Sequence, residues 1–298
     1  MPAGAARRVM PAGAARRRKG MEMDSPFDLP GVPGGQGKTG VLLPAGLAVE
    51  PFGDASFTSL ITLHTARADA LAESGADCLL ADGFGTLADM RAALIAARKC
   101  ELPAVVTAAV GDGGMTAGGD SLLACLITLQ SMGVRAFGLS GGAESLDGML
   151  RELAPYATVP LFAVPDGSAA YAAEQPDSGA ADVSMALASQ TQVFFLTPED
   201  MEISSPLTCS FDMAHELLEL SDSRLDVIRV FLTSPDDAYW FSLNAHMAKL
   251  PVMFLADSGI ALKSALLLYQ GRALIDADCG LEEAVLRNLE HKYGAVIY

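Results

Sequence analysis

The 298-residue sequence has few of the residues that build cross-linked or metal-linked scaffolds, with five cysteines, four histidines and one tryptophan. The cysteines are odd in number, widely scattered and never arranged as Cys-x-x-Cys. Neither a disulfide framework nor a ribbon-type zinc site is therefore indicated. Such cysteine usage favours a reducing, cytoplasmic location.

Positive charge is also scarce, because 20 Lys and Arg stand against 36 Asp and Glu, for a formal net charge of -16. That balance argues against a surface that binds nucleic acid through its phosphates. No stretch approaches the roughly 18 consecutive apolar residues of a membrane span, so we expect no membrane partner. With 51% apolar and 19% charged side chains, the chain has the composition of a protein with a substantial core.

The N-terminus departs from this acidic character. Residues 1–20 carry basic side chains, no acidic one and the repeated segment MPAGAARR. The segment lacks the apolar centre of a secretory signal. It has some transit-peptide character, but a disordered tail or a translation start placed too early explains it better, with Met21 or Met23 as the alternative start. We assign residues 1–39 to a basic, disordered tail.

Beyond the tail, short apolar runs alternate with helical patterns. Continuous apolar runs are typical of strands buried on both faces of a parallel sheet. The strand candidates are GVLL at 40, DCLLA at 77, AVVTAAV at 104, RAFGL at 135, PLFAV at 160, QVFFL at 192, DVIRVFL at 226, PVMFLA at 251, RALID at 272 and AVIY at 295. The helix candidates are 56–74, 86–100, 120–132, 145–155, 180–189, 211–223, 236–248, 259–268 and 281–292. This alternation predicts an α/β fold whose parallel sheet is closed into a barrel or left open.

Ten strand candidates exceed the eight of a closed (β/α)8 barrel, so we expect some to be false or peripheral. Residues 169–189 are rich in small and polar side chains, as is typical of a linker. The predicted organisation is therefore a first part over 40–168, a linker over 169–189 and a second part over 190–298.

Polar residues follow several of the predicted strands. In parallel barrels and open parallel sheets the reactive groups collect beyond the carboxyl ends of the strands. Aspartates there suit a polar or cationic ligand or a hard metal ion, although capping of the next helix is the commoner role of any one of them. The residues at these ends are Asp82, Asp112, Ser140, Asp166, Asp257 and Asp276.

Two catalytic motifs are present only in part. Gly138-Leu139-Ser140-Gly141-Gly142 fits the G-x-S-x-G nucleophile elbow, but all four histidines fall in predicted helices and the last precedes the final strand. A serine hydrolase that uses Ser140 is therefore kept only as the second alternative function. The segment ending in Gly37-Lys38-Thr39 has valine where a phosphate-binding loop needs its first glycine, so we expect no nucleotide there.

A succession of motifs over residues 40–167 resembles the homocysteine S-methyltransferases, including the first module of cobalamin-dependent methionine synthases. GVLLPAGLAVEPFGDASF is similar to the family's first loop with its "EPLG" segment, and VVTAAVGDGGMTAGGD is similar to its "DG-x-t-x-x-G" loop. MGVRAFGLSG is similar to the strand that ends in Asn-Cys, and PLFAVPDG to the strand that ends in "PNAG". The resemblance implies a TIM-barrel-like (β/α) parallel barrel, here incomplete or irregular, since the family's first two strands are not recognisable.

The resemblance also implies a zinc ion held by three cysteine thiolates, which activates the thiol of homocysteine. Ser140-Gly141 stands in place of the Asn-Cys pair, no Cys-Cys pair exists, and Cys279 alone has a faint likeness to the second ligand segment. Asp82 replaces a family glutamate and is one methylene shorter. The substrate-binding positions carried over are Asp82, Ser140, Gly141 and Asp166, and we expect no metal ligands.

The second part resembles, more weakly, the pterin-binding barrel of the same methionine synthases. In that barrel an Asp-Ser pair after one strand and an Asn after the next hold the pterin. The matching positions are Asp257, Ser258 and Asp276. Residues 190–298 therefore either complete the first barrel or form a separate pterin-binding-like module.

Three functions follow from these patterns. The first is a degenerate relative without zinc-thiolate chemistry, which binds a small molecule or a corrinoid or other methionine-synthase module. Cobalamin or folate would then be reached through that partner. The second is an active transferase that moves a methyl group to a thiol acceptor, and the third is the Ser140 hydrolase. Fold alone does not decide between them.

Overall fold

A computed structural model describes residues 37–173 and 181–298. The predicted tail over 1–39 therefore lies outside the described residues except for its last three positions. Within the described ranges, no helix combines the length and apolarity that crossing a bilayer requires.

The first sheet contains five parallel strands whose order in space follows the chain, with a sixth, antiparallel strand at its edge. After each of the first four strands a helix returns the chain to the same end of the sheet, whereas the fifth is followed by a short turn into the antiparallel strand. The strands are β1 Thr39–Leu42, β2 Cys78–Phe84, β3 Ala104–Ala109, β4 Ala136–Gly141, β5 Leu161–Pro165 and β6 Tyr171–Ala172. The helices are α1 Phe57–Glu73, α2 Leu87–Lys99, α3 Leu122–Ser131 and α4 Ala143–Leu153.

Local signals fix where the first three helices begin and end. Ser56, Thr86 and Ser121 each accept a hydrogen bond from a backbone N–H in the first helical turn, which satisfies a donor that the helix leaves free. Just beyond α1 and α3, Gly75 and Gly133 adopt φ values of 87° and 85°. Glycine enters this left-handed region without a Cβ clash, so the chain turns sharply towards the next strand.

The second sheet repeats the pattern with five parallel strands, again neighbouring in chain order. The strands are β9 Leu207–Thr208, β10 Ile228–Leu232, β11 Val252–Ala256, β12 Leu274–Ile275 and β13 Val296–Ile297. The helices are α5 Ala214–Ser221, α6 Pro235–Asn244, α7 Gly259–Leu268 and α8 Glu283–Tyr293. Since the strands of the described residues form two mainly parallel sheets, a separate two-stranded antiparallel sheet and no closed barrel, the prediction of an α/β, incomplete barrel-like fold is confirmed.

The segment between the sheets corrects one predicted helix. The helix predicted over 180–189 is wrong: Ala186–Ala188 forms strand β7, which pairs antiparallel with β8, Val193–Phe195. The QVFFL run is thus a strand, but it lies outside both parallel sheets. Ala188 exchanges two backbone hydrogen bonds with Arg272, at 3.1 and 2.8 Å, and these distant contacts override the helix preference of an alanine-rich run.

Apolar residues fill both faces of the sheets. Leu79, Val106 and Leu139 of the first sheet point towards its helices, whereas Leu80, Val105 and Phe162 pack on the opposite face. A Cβ added to Gly138 would lie 2.5 Å from the Phe162 ring. The first glycine of the G-x-S-x-G segment is therefore required by packing, whatever the chemistry of the serine.

A buried arginine joins the two sheets through their helices. Arg91, on α2, donates to the carbonyl oxygens of Leu266 and Leu267 at 3.0 and 3.3 Å and to Oε1 of Gln270 at 2.8 Å. These acceptors lie at the carboxyl end of α7, where the helix dipole attracts a cation. Burial lowers the pKa of Arg91 to about 10, so the side chain stays charged at neutral pH.

We predict that Arg91→Leu lowers the free energy of unfolding by about 3 kcal/mol, because several buried acceptors lose a charged donor at once. Arg91→Lys, which keeps the charge but not the forked geometry, should lose about half as much. Urea unfolding followed by circular dichroism measures both. The control is Arg151→Leu at an exposed position, expected within about 0.5 kcal/mol of wild type; equal losses for Arg91 and Arg151 would contradict the prediction.

Candidate functional site

The carboxyl edge of the first sheet carries a polar cluster centred on Asp82. Thr107, on the neighbouring strand, donates from Oγ1 to Asp82 Oδ1 at 2.9 Å and accepts at 2.7 Å from the backbone N–H of Gly83. Thr107 is completely buried, whereas Asp82 is partly exposed. The threonine therefore holds one carboxylate oxygen from below and leaves the group reachable from solvent.

A bulge in β2 sets the direction of the Asp82 side chain. The pairing of β2 with β3 shifts register between Ala81 and Phe84, and Gly83 between them has φ of 70°. Bulges commonly re-aim side chains next to functional sites. A Cβ at Gly83 would lie 3.9 Å from Ser140 Oγ, so the bulge places Asp82-Gly83 beside β4.

The predicted residues of β4 and β5 complete this edge. Ser140 Oγ donates to the carbonyl oxygen of Ala108 at 3.3 Å. Gly141 has φ of 151° and its carbonyl oxygen accepts from the N–H of Asp166 at 2.9 Å. Asp82 in β2, Ser140 and Gly141 in β4 and Asp166 just after β5 thus lie at the carboxyl edge of one sheet, as their positions after predicted strands suggested. Thr107 was not among the predicted site residues. Its position two residues after the apolar Val105 was a signal, because residues two apart lie on the same face of a strand.

No histidine contacts Ser140 in the described parts of the chain. His64 is completely buried, and its Nε2 lies 2.5 Å from Asp89 Oδ1. The second oxygen of Asp89 accepts from the N–H of Ala45 at 2.9 Å. The pair therefore ties α1 and α2 to the loop after β1, a packing role, and among the described residues no histidine is placed to serve Ser140 as the base of a hydrolytic triad.

The second sheet presents Asp257, Ser258 and Asp276 at its own carboxyl edge. Ser258 accepts from the N–H of Ala261 at 3.2 Å and so caps α7. Asp276 is buried, accepts from the N–H of Asp278 at 3.0 Å and has Oδ2 3.2 Å from Nε of Arg229. Only Asp257 of this set is exposed, and Arg229 is a neighbour that sequence reasoning missed.

The zinc site implied by the resemblance does not fit the residues at this edge. Ser140 supplies a hydroxyl and Gly141 no side chain where a thiolate would be needed. The five cysteines are all free, and three of them, Cys78, Cys125 and Cys209, are buried. Within 37–173 and 181–298, no group of three or more His, Cys, Asp or Glu side chains is placed to hold a metal ion.

Asp120, in the loop after β3, is a buried carboxyl near this edge. Its Oδ2 accepts from the N–H of Leu87 at 2.6 Å, at the start of α2, and its own N–H donates to Thr116 Oγ1 at 3.1 Å. Burial raises the pKa of Asp120 to about 6, although the hydrogen bond from Leu87 acts in the opposite direction. Ionisation of this group therefore costs the folded state free energy.

Comparisons with known proteins place these observations in a family. A family model described as homocysteine S-methyltransferase matches residues 3–202, which is more than half of the chain. No curated protein matches. Two crystal structures of the homocysteine methyltransferase MmuM from Escherichia coli are similar to parts of the chain, each at 21% identity.

The apo form of MmuM gives a TM-score of 0.38, with 43% of this chain and 48% of MmuM covered. The metallated form gives 0.36, with 38% and 40% covered. The chain thus spans less than half the length of these proteins, and similarity at this level carries no argument about the site. The family match rests on the family model.

We predict that Asp120→Asn stabilises the protein at pH 8 by about 1–3 kcal/mol, because an amide oxygen can accept from Leu87 without a buried charge. The carboxyl titrates at 3.8 ordinarily and at about 6 in the folded state. The free energy of unfolding of the wild type is therefore at its full value below pH 4, where the carboxyl is protonated. It falls as the pH rises through 6, because the folded state then has to ionise a buried group. Urea unfolding between pH 4 and 8 should show the variant gaining on wild type across this window; a constant difference would contradict the assignment.

Proposed function

Because the chain belongs to the homocysteine S-methyltransferase family, we propose that it is a degenerate relative that binds a small amine-bearing molecule without zinc-thiolate chemistry. The observation that carries the proposal is the Asp82 carboxylate, held by Thr107 at the open carboxyl edge of the first sheet. Homocysteine, an amino acid, is the first ligand to consider.

Charge and position both support an amine at Asp82. One carboxylate oxygen is fixed by Thr107, and for the other the described residues supply no hydrogen bond. A ligand ammonium would therefore find an oriented acceptor, and charge-assisted hydrogen bonds of this kind are the stronger ones. Ser140 and the backbone at Gly141 lie beside it and offer neutral polar contacts to the rest of the molecule.

The same edge supports binding more than catalysis. In the family, a zinc ion held by cysteine thiolates activates the acceptor thiol. In this chain Gly141 stands where the first of those cysteines would be. Cys279 lies in a short turn after β12 of the second sheet, and a single thiolate does not make a three-ligand site. The methyl-transfer step therefore lacks the group that would lower the pKa of the acceptor thiol.

The binding proposal is tested with two ligands that differ only in the amino group: homocysteine and 4-mercaptobutyric acid. We expect homocysteine at one hundred times its dissociation constant to stabilise the protein by about 2.7 kcal/mol, and the desamino analogue to bind at least tenfold more weakly. Asp82→Asn should remove this preference. Asp112→Asn, an exposed aspartate after β3, is the matched control and should leave it intact.

The stabilisation by each ligand is measured as a thermal shift, and other outcomes of that experiment separate the alternative functions. Equal binding of the two ligands, or an Asp82→Asn variant that behaves as wild type, would rule out the proposed contact. Stabilisation by cobalamin or folate but not by homocysteine or methionine would favour the corrinoid-partner hypothesis instead.

The absence of zinc chemistry has its own test. Protein purified without chelator and with zinc in the medium should contain far less than one zinc per chain and should not methylate homocysteine. Metal analysis of the purified protein and an assay of methionine formation measure the two quantities. About one zinc per chain together with methyl transfer would establish the active-transferase alternative.

A further inference from the structure

A second concave region lies between loops and helix starts of the first sheet and helices of the second, and it shares no residue with the Asp82 cluster. It has a volume of about 740 Å³, within the range of small-molecule sites. Its walls come from residues 47–52, 56–58, 86, 88 and 118–120 on one side and from 239, 242, 245, 246, 248 and 268–270 on the other. The turn at 189–191 closes one end. We call this space the inter-sheet cavity.

The charged side chains that line the inter-sheet cavity are all acidic. Glu50 and Asp120 contribute carboxylates, and neither Lys nor Arg is found among the described lining residues. Glu50 is oriented across the cavity, since its Oε1 accepts from the hydroxyl of Tyr239 at 3.3 Å. Arg91 lies behind the wall, where its guanidinium is already bonded to carbonyl groups of α7.

Aromatic rings stand at the mouth beside Glu50. Phe52 is 71% exposed, which is unusual for so large an apolar side chain, and its ring contacts that of His246 edge-on with centroids 5.0 Å apart. Tyr239 is also exposed, whereas Tyr269 lies deeper in the lining. Aromatic faces next to a carboxylate are the combination that attracts organic cations, through both charge and the ring quadrupole.

We propose that the inter-sheet cavity binds a small organic cation, an amine joined to an aromatic or other flat apolar group. Glu50 pairs with the ammonium, and the rings of Phe52 and Tyr239 cover the apolar part. Hydroxyl and amide groups from Ser56, Thr58 and Gln190 line the remaining wall and can accept further hydrogen bonds. Because the walls come from segments that belong to both sheets, the site exists only when the two sheets are docked.

The test uses the full chain and two probes of nearly equal shape, 2-phenylethylamine and 2-phenylethanol, titrated by calorimetry at pH 7.5. We expect the amine to bind at least tenfold more tightly than the alcohol. Glu50→Gln, which can still accept from Tyr239, should reduce the affinity for the amine about tenfold and leave that for the alcohol unchanged. Asp54→Asn, an exposed acid in the same loop, is the control and should alter neither.

Equal affinities for the two probes, or an unchanged preference in Glu50→Gln, would overturn the proposal. A Glu50→Gln variant that fails to fold is replaced by Phe52→Ala at an exposed position, which should weaken both probes several-fold. Because 2-phenylethylamine is itself an amine, the titrations are repeated with Asp82→Asn, which removes the other proposed amine site; the preference for the amine and its loss in Glu50→Gln should both persist there. Failure at this cavity and failure of homocysteine binding at Asp82 are therefore separate results.

Discussion

The contact between Arg91 and the end of α7 holds the two sheets in their relative position. A fully buried guanidinium without a carboxylate partner is costly, and here its charge is met by helix carbonyls and one amide oxygen. The guanidinium of the same side chain lies over the Phe57 ring, with its carbon atom 5.3 Å from the ring centroid. Since Phe57 and Gln270 both line the inter-sheet cavity, the interaction that joins the sheets also shapes that space.

Much of the fold was predictable because its determinants are local. The apolar runs ending near Asp82, Ser140 and Asp166 are long enough for strands buried on both faces. Cap residues such as Ser56 and Thr86 stand just before the helices that they cap. Parallel strands bring their carboxyl ends to one edge, so the clustering of the polar residues followed from topology.

The remaining features depend on partners far away in the chain. Nothing in the residues around Arg91 indicates that its acceptors lie some 175 positions later. The burial of Asp276 depends on Arg229, on a non-adjacent strand of the second sheet. Likewise, the alanine-rich β7 has a composition that favours helix, and only its pairing with Arg272 and β8 makes it a strand. Periodicity within a short window carries none of this information.

The state of the cysteines has a consequence for how the protein responds to oxidants and alkylating reagents. Burial raises the pKa of the thiols of Cys78, Cys125, Cys100 and Cys209, the last two to about 11 and about 12. These sulfurs are therefore protonated at neutral pH, whereas the thiolate is the form that reacts. With all five cysteines free, the folded protein holds no disulfide to lose. The four thiols with raised pKa values should therefore react slowly with alkylating reagents while the protein is folded.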